Sequence, residues 1–382
     1  MDEANQIRTD GAPAAAVGKA RDDLDTPSLL IDLDVLERNI ASMARVARTA
    51  GVRLRPHTKT HKSTRIARMQ LDAGAAGVTV AKLGEAEVMI DAGIDDVLIA
   101  YPIVGERKLA RLRSLLQRAR IRTTLDSIDV AEGLGRLGRQ IGRDVEVLVE
   151  VDTGLHRIGR PPGEPTAALV RAVSQIEGVD VVGLLTHAGH AYRCTTPDEL
   201  RAAAEREGRD VVETAERCAA DGIQLREISV GSTPTARHVA QVPGVTEIRP
   251  GTYVFNDVQQ LRLGVATERD CAVRVLTTVV SRVGDRFVLD AGTKAFSSDG
   301  GDGPPFPGRG VVAGRPELRL DFMNEEHAVG HATDATDLRI GDRVEVIPLH
   351  VCSAVNLFDV AHGVRNGAVE CDLPIEARGR SR

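Results

Sequence analysis

The sequence contains no tryptophan, and aromatic residues make up only 2% of its 382 residues. A core without large rings must be built from Val, Leu, Ile and Ala, which is typical of a large α/β protein with a parallel sheet. The hydrophobic content of 42% and the charged content of 27% are those of an ordinary soluble globular protein. A chain of this length is too long for one small core, so we expect one large domain and a smaller one.

Long apolar runs, basic blocks and a cysteine framework are also missing. No apolar run approaches the roughly 20 residues that a membrane helix needs, and the first residues lack the charged-then-apolar pattern of a signal peptide. With a net charge of −6 and no basic cluster, the chain is not expected to bind nucleic acid or a membrane. Five widely spaced cysteines predict no disulfide framework and favour the reducing cytoplasm.

Short β-branched runs alternate with amphipathic stretches through the first two-thirds of the chain. Eight runs are candidate strands: VRLRP (52–56), GVTVA (77–81), DVLIA (96–100), IRTTL (121–125), VEVLVEV (145–151), VDVVGLLT (179–186), LREISVG (225–231) and TEIRP (246–250). Strand–helix repetition of this kind predicts a (β/α)8 TIM barrel. An open doubly wound sheet is the second candidate, but the glycine-rich turn expected after its first strand is missing.

The pattern changes after residue 264, where strands with tight GD and NG turns replace the alternation. RIGDRVEVIP is predicted to be a strand pair around a turn, and VRNGAVE a hairpin. We therefore expect a loose N-terminal tail over residues 1–20, a barrel over 21–264 and a mainly antiparallel β domain over 265–382. The Gly/Pro-rich stretch 297–310 is expected to be a flexible or lid-like loop.

Polar residues follow six of the eight candidate strands. They are His57, Lys59 and His61, then Lys82, then Asp152 and Arg157, then His187, His190 and Tyr192, and finally the segments SVGSTPT (229–235) and RPGTY (249–253). Chemistry in such barrels gathers where the strands end. A single polar residue on the rim is usually a hydrated side chain, but six coinciding strand ends predict a functional site.

These residue types suit a phosphorylated aldehyde cofactor. The small residues of SVGST and PGT offer backbone N–H groups and hydroxyls to a phosphate. A lysine near other cations has a lowered pKa and can form a Schiff base with an aldehyde. The combination indicates pyridoxal 5′-phosphate (PLP) bound through Lys59. Lys62 is the competing lysine, but it falls at a helix start, where we expect contact with solvent.

A series of motifs resembles one family of enzymes. In chain order they are TPSLLIDLDVLERNI, RPHTKTHK, KLGEAEVM, GLHRIGR, THAGH, SVGSTPT, RPGTYVF, LDAG and HVCSAVNLFD. Together they resemble the D-serine dehydratase and D-threonine aldolase family, fold-type III PLP enzymes related to alanine racemase. The resemblance runs from about residue 24 to residue 378.

The resemblance implies a PLP-binding barrel and a β domain that work as a homodimer. It implies that Lys59 forms the Schiff base, that Arg157 lies near the phenolic oxygen of the cofactor and that His187 packs by its ring. The other positions implied for the cofactor are Gly231, Ser232, Thr233, Gly251 and Thr252 at the phosphate, and Arg249 facing the pyridine nitrogen. Tyr192 is a further candidate for contact with the cofactor or the substrate.

The segment PLHVCSAVNLFD supplies a candidate metal pair, His350 and Cys352. On a strand, residues two apart face the same side, so the imidazole and the thiolate could reach one ion. From the residues alone, a buried cysteine beside a hydrogen-bonded histidine is the simpler interpretation, but the resemblance implies a divalent metal here. A thiolate with an imidazole suits Zn²⁺, with Mn²⁺ and Mg²⁺ as alternatives. His327 is a further histidine that could approach this region.

The resemblance implies a lyase acting on D-3-hydroxy amino acids such as D-serine, D-threonine or D-threo-3-hydroxyaspartate. Aldolases of the family tend to have His-x-Asp, QAYxG and a triple glycine where this chain has HVC, THAGHAY and SVGST. Dehydration to a 2-oxo acid and ammonia is therefore favoured, and D-threonine aldolase activity, giving glycine and an aldehyde, is the alternative. Arg193 and Arg237 near the rim leave room for a second substrate carboxylate.

Two other functional classes remain open, a PLP-carrier protein and an amino-acid racemase. Carrier proteins generally lack the β domain that is expected here. A racemase usually needs a tyrosine from that domain as its second base, whereas the three tyrosines, at 101, 192 and 253, all precede residue 265.

Lys82 and Glu85 are either supporting groups of the site or a surface ion pair.

Overall fold

Strand β1 (Ser28–Asp32) and helix α1 (Leu33–Ala50) come first in the computed structural model, which describes residues 16–300 and 308–382. Asp32 ends the strand and caps the helix, because its side chain accepts a hydrogen bond from Val35 N at 3.0 Å. Gly51, with a φ of 71°, ends the helix in the left-handed conformation that glycine adopts without strain.

Eight parallel strands then form the first sheet. They are β2 (Arg53–Leu54), β3 (Val78–Val80), β4 (Asp96–Ile99), β5 (Arg120–Leu125), β6 (Val145–Glu150), β7 (Val179–Leu185), β8 (Glu227–Val230) and β9 (Glu247–Ile248), in the spatial order β2-β9-β8-β7-β6-β5-β4-β3. The ends of the sheet meet, because Thr79 N donates to Pro56 O at 2.8 Å beside a parallel bridge between His57 and Thr79. The predicted barrel and its eight predicted strands are confirmed.

Helices connect the strands and pack on the outside of the barrel. They are α2 (Thr64–Asp72), α3 (Leu83–Asp91), α4 (Glu106–Leu116), α5 (Ile128–Ile141), α6 (Glu164–Val173), α7 (Pro197–Ala220) and α8 (Ala236–Val239). Their apolar residues recur at helical spacing and are buried, as Ala131, Leu134 and Leu137 are in α5. This packing leaves the C-terminal ends of the strands and the loops that follow them free to build a site.

Charged side chains fill part of the barrel interior toward the N-terminal ends of the strands. Arg55 donates to Glu247 Oε2 at 2.9 Å and to Asp96 Oδ1 at 2.6 Å. Arg122 donates to Glu227 Oε1 at 2.7 Å and also bonds Asp96. Both arginines are at most 1% exposed, so each charge depends on its partners for compensation.

Nine strands, β1 among them, form the second sheet, which is mainly antiparallel as expected. The other eight are β10 (Val273–Val283), β11 (Arg286–Leu289), β12 (Gly310–Val312), β13 (Leu318–Met323), β14 (Ala328–Ala332), β15 (Arg343–Pro348), β16 (Val360–Arg365) and β17 (Ala368–Pro374). Six strands close on themselves, because β10 pairs with both β11 and β15 at the ends of the series β11-β14-β13-β12-β15. Three short helices complete the fold: α9 (Val258–Arg262), α10 (Thr293–Phe296) and α11 (Val351–Val355).

The segment boundaries differ from the expected ones at the N-terminus. Strand β1 pairs antiparallel with β10 and parallel with β16, so it belongs to the second sheet although it lies within the predicted barrel segment 21–264. Residues 1–15 of the predicted loose tail lie outside the described residues. Residues 16–20 are held in place, because Gly18 N donates to Val369 O at 2.9 Å and Ala16 is 3% exposed.

Of the two strand pairs predicted around tight turns, one is confirmed and the other is wrong. VRNGAVE is a hairpin as predicted, because β16 and β17 pair across Asn366 and Gly367, both with positive φ. RIGDRVEVIP contributes only β15, and the strand predicted before its turn is wrong. Residues 338–342 form a turn instead, in which Arg339 N donates to Asp342 Oδ2 at 2.6 Å. Within the described residues, no helix has the length and apolar content to cross a membrane.

Candidate active site

One cavity of about 810 Å³ lies at the C-terminal ends of the barrel strands. This volume is within the range of about 300–1,000 Å³ typical of small-molecule sites. The cavity is lined by the residues predicted to bind the cofactor and the metal: Lys59, Arg157, His187, Tyr192, Gly231, Ser232, Thr233, Arg249, Gly251, Thr252, His350 and Cys352. The fold thus brings together residues that are up to 293 positions apart in the chain (Lys59 to Cys352).

Lys59 lies in a single 3-10 turn, Thr58–Thr60, in the loop that follows β2. The turn is fixed to the neighbouring strand, because Thr58 Oγ1 donates to Thr79 O at 3.1 Å. Burial lowers the pKa of the Lys59 ammonium, and the positive charges of Arg157 and Arg249 lower it further, whereas Cys352 and Glu85 act in the opposite direction. A lysine in this environment is more easily deprotonated to a nucleophilic amine than a lysine in water.

Lys62 does not line the cavity and is not in contact with solvent as expected. It is 8% exposed, and its Nζ donates to Asn356 Oδ1 at 2.8 Å and lies 3.2 Å from Glu85 Oε1. Its backbone has a φ of 51°, which turns the chain into α2. The reason for the difference is that the β domain covers this turn, so Lys62 joins the two domains while Lys59 faces the cavity.

The histidines near Lys59 have different roles. His57 and His187 line the cavity, and burial together with the charge of Lys59 lowers the pKa of both well below the ordinary value, so their rings are neutral. His61 is fully buried, and its Nε2 lies 3.2 Å from Gln70 Oε1. Burial lowers the pKa of His61 to about 4. His61 is therefore a core residue and only the other two can contact a ligand.

The loops after β8 and β9 form a cradle with the chemistry that a phosphate needs. Among the described residues, none accepts a hydrogen bond from the backbone N–H of Thr233, Gly251 or Thr252. Gly251 admits no side chain, because a Cβ there would lie 2.9 Å from Thr60 Oγ1 and 3.0 Å from His57 O. Small residues with unpaired N–H groups favour an anion, so the cradle fits the phosphate of the predicted cofactor.

Two charged side chains border the same part of the cavity. Arg249 is buried, and it donates to Ser229 Oγ at 2.8 Å and to Thr186 O at 2.5 Å. Glu150, at the end of β6, was missed by the sequence analysis; it is 4% exposed and its Oε2 has no hydrogen-bond partner. Burial raises the pKa of Glu150 to about 7, although Arg249 and Arg157 oppose the shift. Its signal was the even spacing of Glu146, Leu148 and Glu150 on one face of the strand.

The predicted metal pair lies at a helix start, so the strand geometry expected for it is wrong. His350 is the N-cap residue of α11 and Cys352 is the second residue of the helix. Cys352 Sγ lies 3.2 Å from Thr60 Oγ1 and 3.7 Å from Thr252 Oγ1. The pair is therefore adjacent both to the lysine turn and to the cradle.

Electrostatics couple His350 and Cys352. Burial alone would raise the pKa of the Cys352 thiol, but the hydrogen bond and charge of His350 and the charge of Lys59 lower it. Burial opposes a raised pKa at His350, yet Cys352, Asp257 and Asp299 raise it to about 9. A thiolate and an imidazole are the ligands that Zn²⁺ prefers.

The two candidate metal ligands are His350 and Cys352, and a carboxylate contacts the His350 ring. His350 Nδ1 lies 2.5 Å from Asp299 Oδ2, a carboxylate that the sequence analysis missed, and this contact would leave Nε2 for an ion. Within the described residues, no group of three His, Cys, Asp or Glu side chains could hold a metal. The pair fits a divalent ion whose remaining ligands are water or substrate oxygens, as in an open catalytic site.

Other candidates lie elsewhere. His327 and Arg193 are exposed and do not line the cavity, and Arg237 faces a separate cavity and donates to Ser42 Oγ at 3.0 Å. Lys82 and Glu85 do not pair with each other, so a surface ion pair between them is excluded. Lys82 Nζ instead lies 3.4 Å from the centroid of the Tyr101 ring at the cavity.

Comparison with known proteins assigns both parts of the chain. Residues 31–258 match the family model described as "Alanine racemase, N-terminal domain", and residues 272–364 match the model described as "Putative serine dehydratase domain". A D-threo-3-hydroxyaspartate dehydratase of Delftia sp. (strain HT23) is 38% identical over 349 residues, covering 86% of this chain and 91% of that protein.

Two solved structures are similar over nearly the whole chain. A D-threonine aldolase from Filomicrobium marinum has a TM-score of 0.90 at 34% identity, covering 97% of this chain and 100% of that one. A cysteine-to-alanine mutant of a D-threo-3-hydroxyaspartate dehydratase, described as being in the metal-free form, has a TM-score of 0.85 at 34% identity, covering 93% and 98%.

Proposed function

Because the chain belongs to the D-serine dehydratase and D-threonine aldolase family of PLP-dependent lyases, we propose that it dehydrates D-3-hydroxy amino acids to a 2-oxo acid and ammonia. The substrates we propose are D-serine and D-threo-3-hydroxyaspartate. One observation carries the proposal: Cys352 Sγ lies 3.2 Å from Thr60, the residue next to Lys59. A proton acceptor for Cα and a metal pair for the β-hydroxyl therefore line the same cavity.

PLP is the proposed cofactor, and bound PLP would withdraw electrons from the Cα of the substrate amine. Lys59 would hold it covalently, and Ser232 with the N–H groups of Thr233, Gly251 and Thr252 would hold its phosphate. Arg157, His187, Tyr192 and Arg249, with Gly231 beside the cradle, are proposed to surround its ring. The neutral His187 can pack against a flat ring without the cost of burying a second charge.

Lys59 is proposed to move the proton. Once its amine is free, burial and the neighbouring arginines favour the neutral form, which can accept a proton from Cα. The amine stays in place, because its turn is tied to β3 through Thr58.

His350 and Cys352 are proposed to bind a divalent metal, Zn²⁺ before Mn²⁺ or Mg²⁺ because thiolate is a soft ligand. A bound ion would supply a Lewis acid for the β-hydroxyl. Asp299 would fix the His350 ring through Nδ1, which is 2.5 Å from Oδ2. The metal-free description of a solved relative supports a metal at this place in the family.

Retro-aldol cleavage to glycine and an aldehyde is the second candidate, favoured by the likeness to the Filomicrobium marinum aldolase. Incubation with D-serine, D-threonine and D-threo-3-hydroxyaspartate, with assays for 2-oxo acid, ammonia and glycine, separates the two. We expect 2-oxo acid and ammonia in equal amounts. Glycine without ammonia would overturn the dehydratase proposal in favour of the aldolase; ammonia decides, because retro-aldol cleavage of D-threo-3-hydroxyaspartate releases glyoxylate, which is itself a 2-oxo acid.

Racemase and carrier functions are less well supported. The second sheet carries no tyrosine that could act as a second base, since the three tyrosines precede residue 265.

We also propose a homodimer in the cytoplasm, where the cavity thiol Cys352 stays reduced; all five cysteines are free.

A further inference from the structure

Among the described residues, the cavity is lined by five lysine and arginine side chains but only one carboxyl group, that of Glu150. The cations are Lys59, Lys82, Lys108, Arg157 and Arg249. Lys59, Arg157 and Arg249 are assigned to the cofactor under the proposed function. Inside the barrel Arg249 is held by its bonds to Ser229 Oγ at 2.8 Å and Thr186 O at 2.5 Å. Lys82 and Lys108 are the two cations left to meet a substrate.

Lys82 is the more constrained of these two lysines. It is the N-cap residue of α3, it is half-buried, and its ammonium sits 3.4 Å from the centroid of the Tyr101 ring. Tyr101 follows β4 and is 41% exposed, so the ring and the ammonium together border the cavity. Lys108, in the first turn of α4, also lines the cavity but is exposed to solvent.

The nearest carboxylate in sequence is turned away from Lys82. Glu85 accepts from Ala81 N at 2.6 Å through Oε2, and its Oε1 lies 3.2 Å from Lys62 Nζ. Among the described residues, Lys82 Nζ has no hydrogen-bond acceptor. The aromatic face attracts the ammonium but accepts none of its three N–H groups in the way an oxygen does.

An ammonium fixed in this way is suited to bind an anionic oxygen from inside the cavity. Charge-assisted hydrogen bonds are about twice as strong as neutral ones, and the ring positions Lys82 before the ligand arrives, which reduces the entropy cost of binding. Every substrate of the proposed reaction carries one carboxylate on Cα. A second carboxylate on Cβ distinguishes D-threo-3-hydroxyaspartate from D-serine.

We propose that Lys82, held by the Tyr101 ring, selects substrates that carry a carboxylate on Cβ. This inference rests on the proposed function and deepens it. It replaces the expectation that Arg193 and Arg237 serve this purpose, since neither lines the cavity. Lys82 binds the substrate side chain and takes no part in bond breaking.

The test is the ratio of kcat/KM for D-threo-3-hydroxyaspartate to kcat/KM for D-serine. In Lys82→Met we expect this ratio to fall about 10- to 100-fold, mainly through KM for the dicarboxylate, which corresponds to one charged hydrogen bond. Lys82→Arg keeps the charge and is expected to retain most of the ratio. Lys294→Met, at an exposed lysine paired with Glu326 outside the cavity, is the matched control and leaves the ratio unchanged.

An equal fall for both substrates would overturn the proposal, because Lys82 would then bind the carboxylate on Cα. An unchanged ratio in Lys82→Met would overturn it as well. If the wild-type enzyme converts neither substrate into any product, the proposed function fails instead.

Competition by D-aspartate and D-alanine provides a second readout on the holoenzyme, since neither carries the hydroxyl group that reacts. We expect Lys82→Met to lose affinity for D-aspartate about 10- to 100-fold more than for D-alanine. Equal losses for the two amino acids would contradict the assignment. Urea unfolding of each variant verifies that the fold is intact.

Discussion

Glu150 is a buried carboxyl group in the wall of a cavity that five lysine and arginine side chains also line. Burial raises its pKa to about 7, so the folded protein retains a proton that the unfolded chain releases near the ordinary value of 4.5. Its contribution to stability is therefore fully present below the unfolded pKa and is lost as the pH rises toward 7. Above that pH the carboxylate is ionised in both states.

Glu150→Gln removes this titration while keeping the shape of the side chain. We expect the free energy of unfolding of the variant, relative to wild type, to rise by about 2 kcal/mol between pH 5 and pH 7. Urea unfolding at four pH values measures it. Glu146→Gln, on the same strand but paired with Arg120 at the surface, is the control and should change stability by less than about 1 kcal/mol at each pH. Parallel curves for Glu150→Gln and wild type would contradict the buried, protonated state.

Cys352 is the residue on which the proposed metal site depends most. Loss of a supporting residue behind a metal ligand lowers affinity about 10- to 100-fold, so Cys352→Ala, which removes a ligand, should lower it more than about 100-fold. Metal analysis of the purified variant should show it depleted, whereas Cys371→Ala, at a free cysteine on β17, should keep the metal. Wild-type metal content in Cys352→Ala would rule out this cysteine as a ligand.

At the scale of elements, one side chain accepts hydrogen bonds at the starts of two helices. Asp257 is 1% exposed; its Oδ1 accepts from Gln260 N at 3.1 Å and caps α9, and its Oδ2 accepts from Val351 N at 3.0 Å at the start of α11. The second bond sets the position of His350 and Cys352, because they flank Val351. A loop residue of the barrel thus helps to place the proposed metal pair of the β domain.

Asp257→Ala leaves two buried N–H groups without acceptors, and we expect it to lower the free energy of unfolding by about 2–4 kcal/mol. Metal affinity should fall with it. Asp257→Asn, which keeps one carbonyl oxygen, should lose less of both, as measured by urea unfolding and metal titration. An Asp257→Ala protein with unchanged metal affinity would show that α11 keeps its place without this tie.

The sequence predicted the positions of the strands better than it predicted which strands pair with each other. Short β-branched runs revealed the barrel strands, because each is flanked by turn residues and followed by an amphipathic stretch. The same pattern could not show that β1 pairs with β10 and β16, since local periodicity carries no information about which sheet a strand joins. The closeness of His350 and Cys352 was expected, but their geometry comes from a helix start that the apolar run IPLHV concealed.

The same limit applies to the site: local motifs could be recognised in the sequence, whereas contacts between distant segments could not. Residues in distinctive motifs, such as Lys59 and His187, were named from the sequence and line the cavity. Glu150 and Asp299 were missed because their importance arises from burial and from contacts between distant segments. Lys62 was misjudged for the same reason, since only the folded chain places it against Asn356.

At the scale of the whole molecule, buried ion pairs join strands from across the barrel. Arg55→Met would leave Glu247 and Asp96 without one of their partners, and we expect it to lower the free energy of unfolding by about 3–5 kcal/mol. Arg120→Met breaks a more exposed pair with Glu146 and should cost less than about 1 kcal/mol. Similar losses in the two variants, measured by urea unfolding, would show that the interior charges are not the more important ones.

The architecture as a whole places Lys59, the proposed phosphate cradle and the proposed metal pair around a single cavity between the barrel rim and the β domain. We propose that Lys59 is the residue that holds the cofactor. Borohydride reduction of the PLP-loaded protein, followed by digestion and mass spectrometry, fixes the cofactor to the amine that binds it and identifies the residue. We expect a pyridoxyl adduct on Lys59; an adduct on Lys62 or another lysine, or no adduct at all, would contradict this assignment.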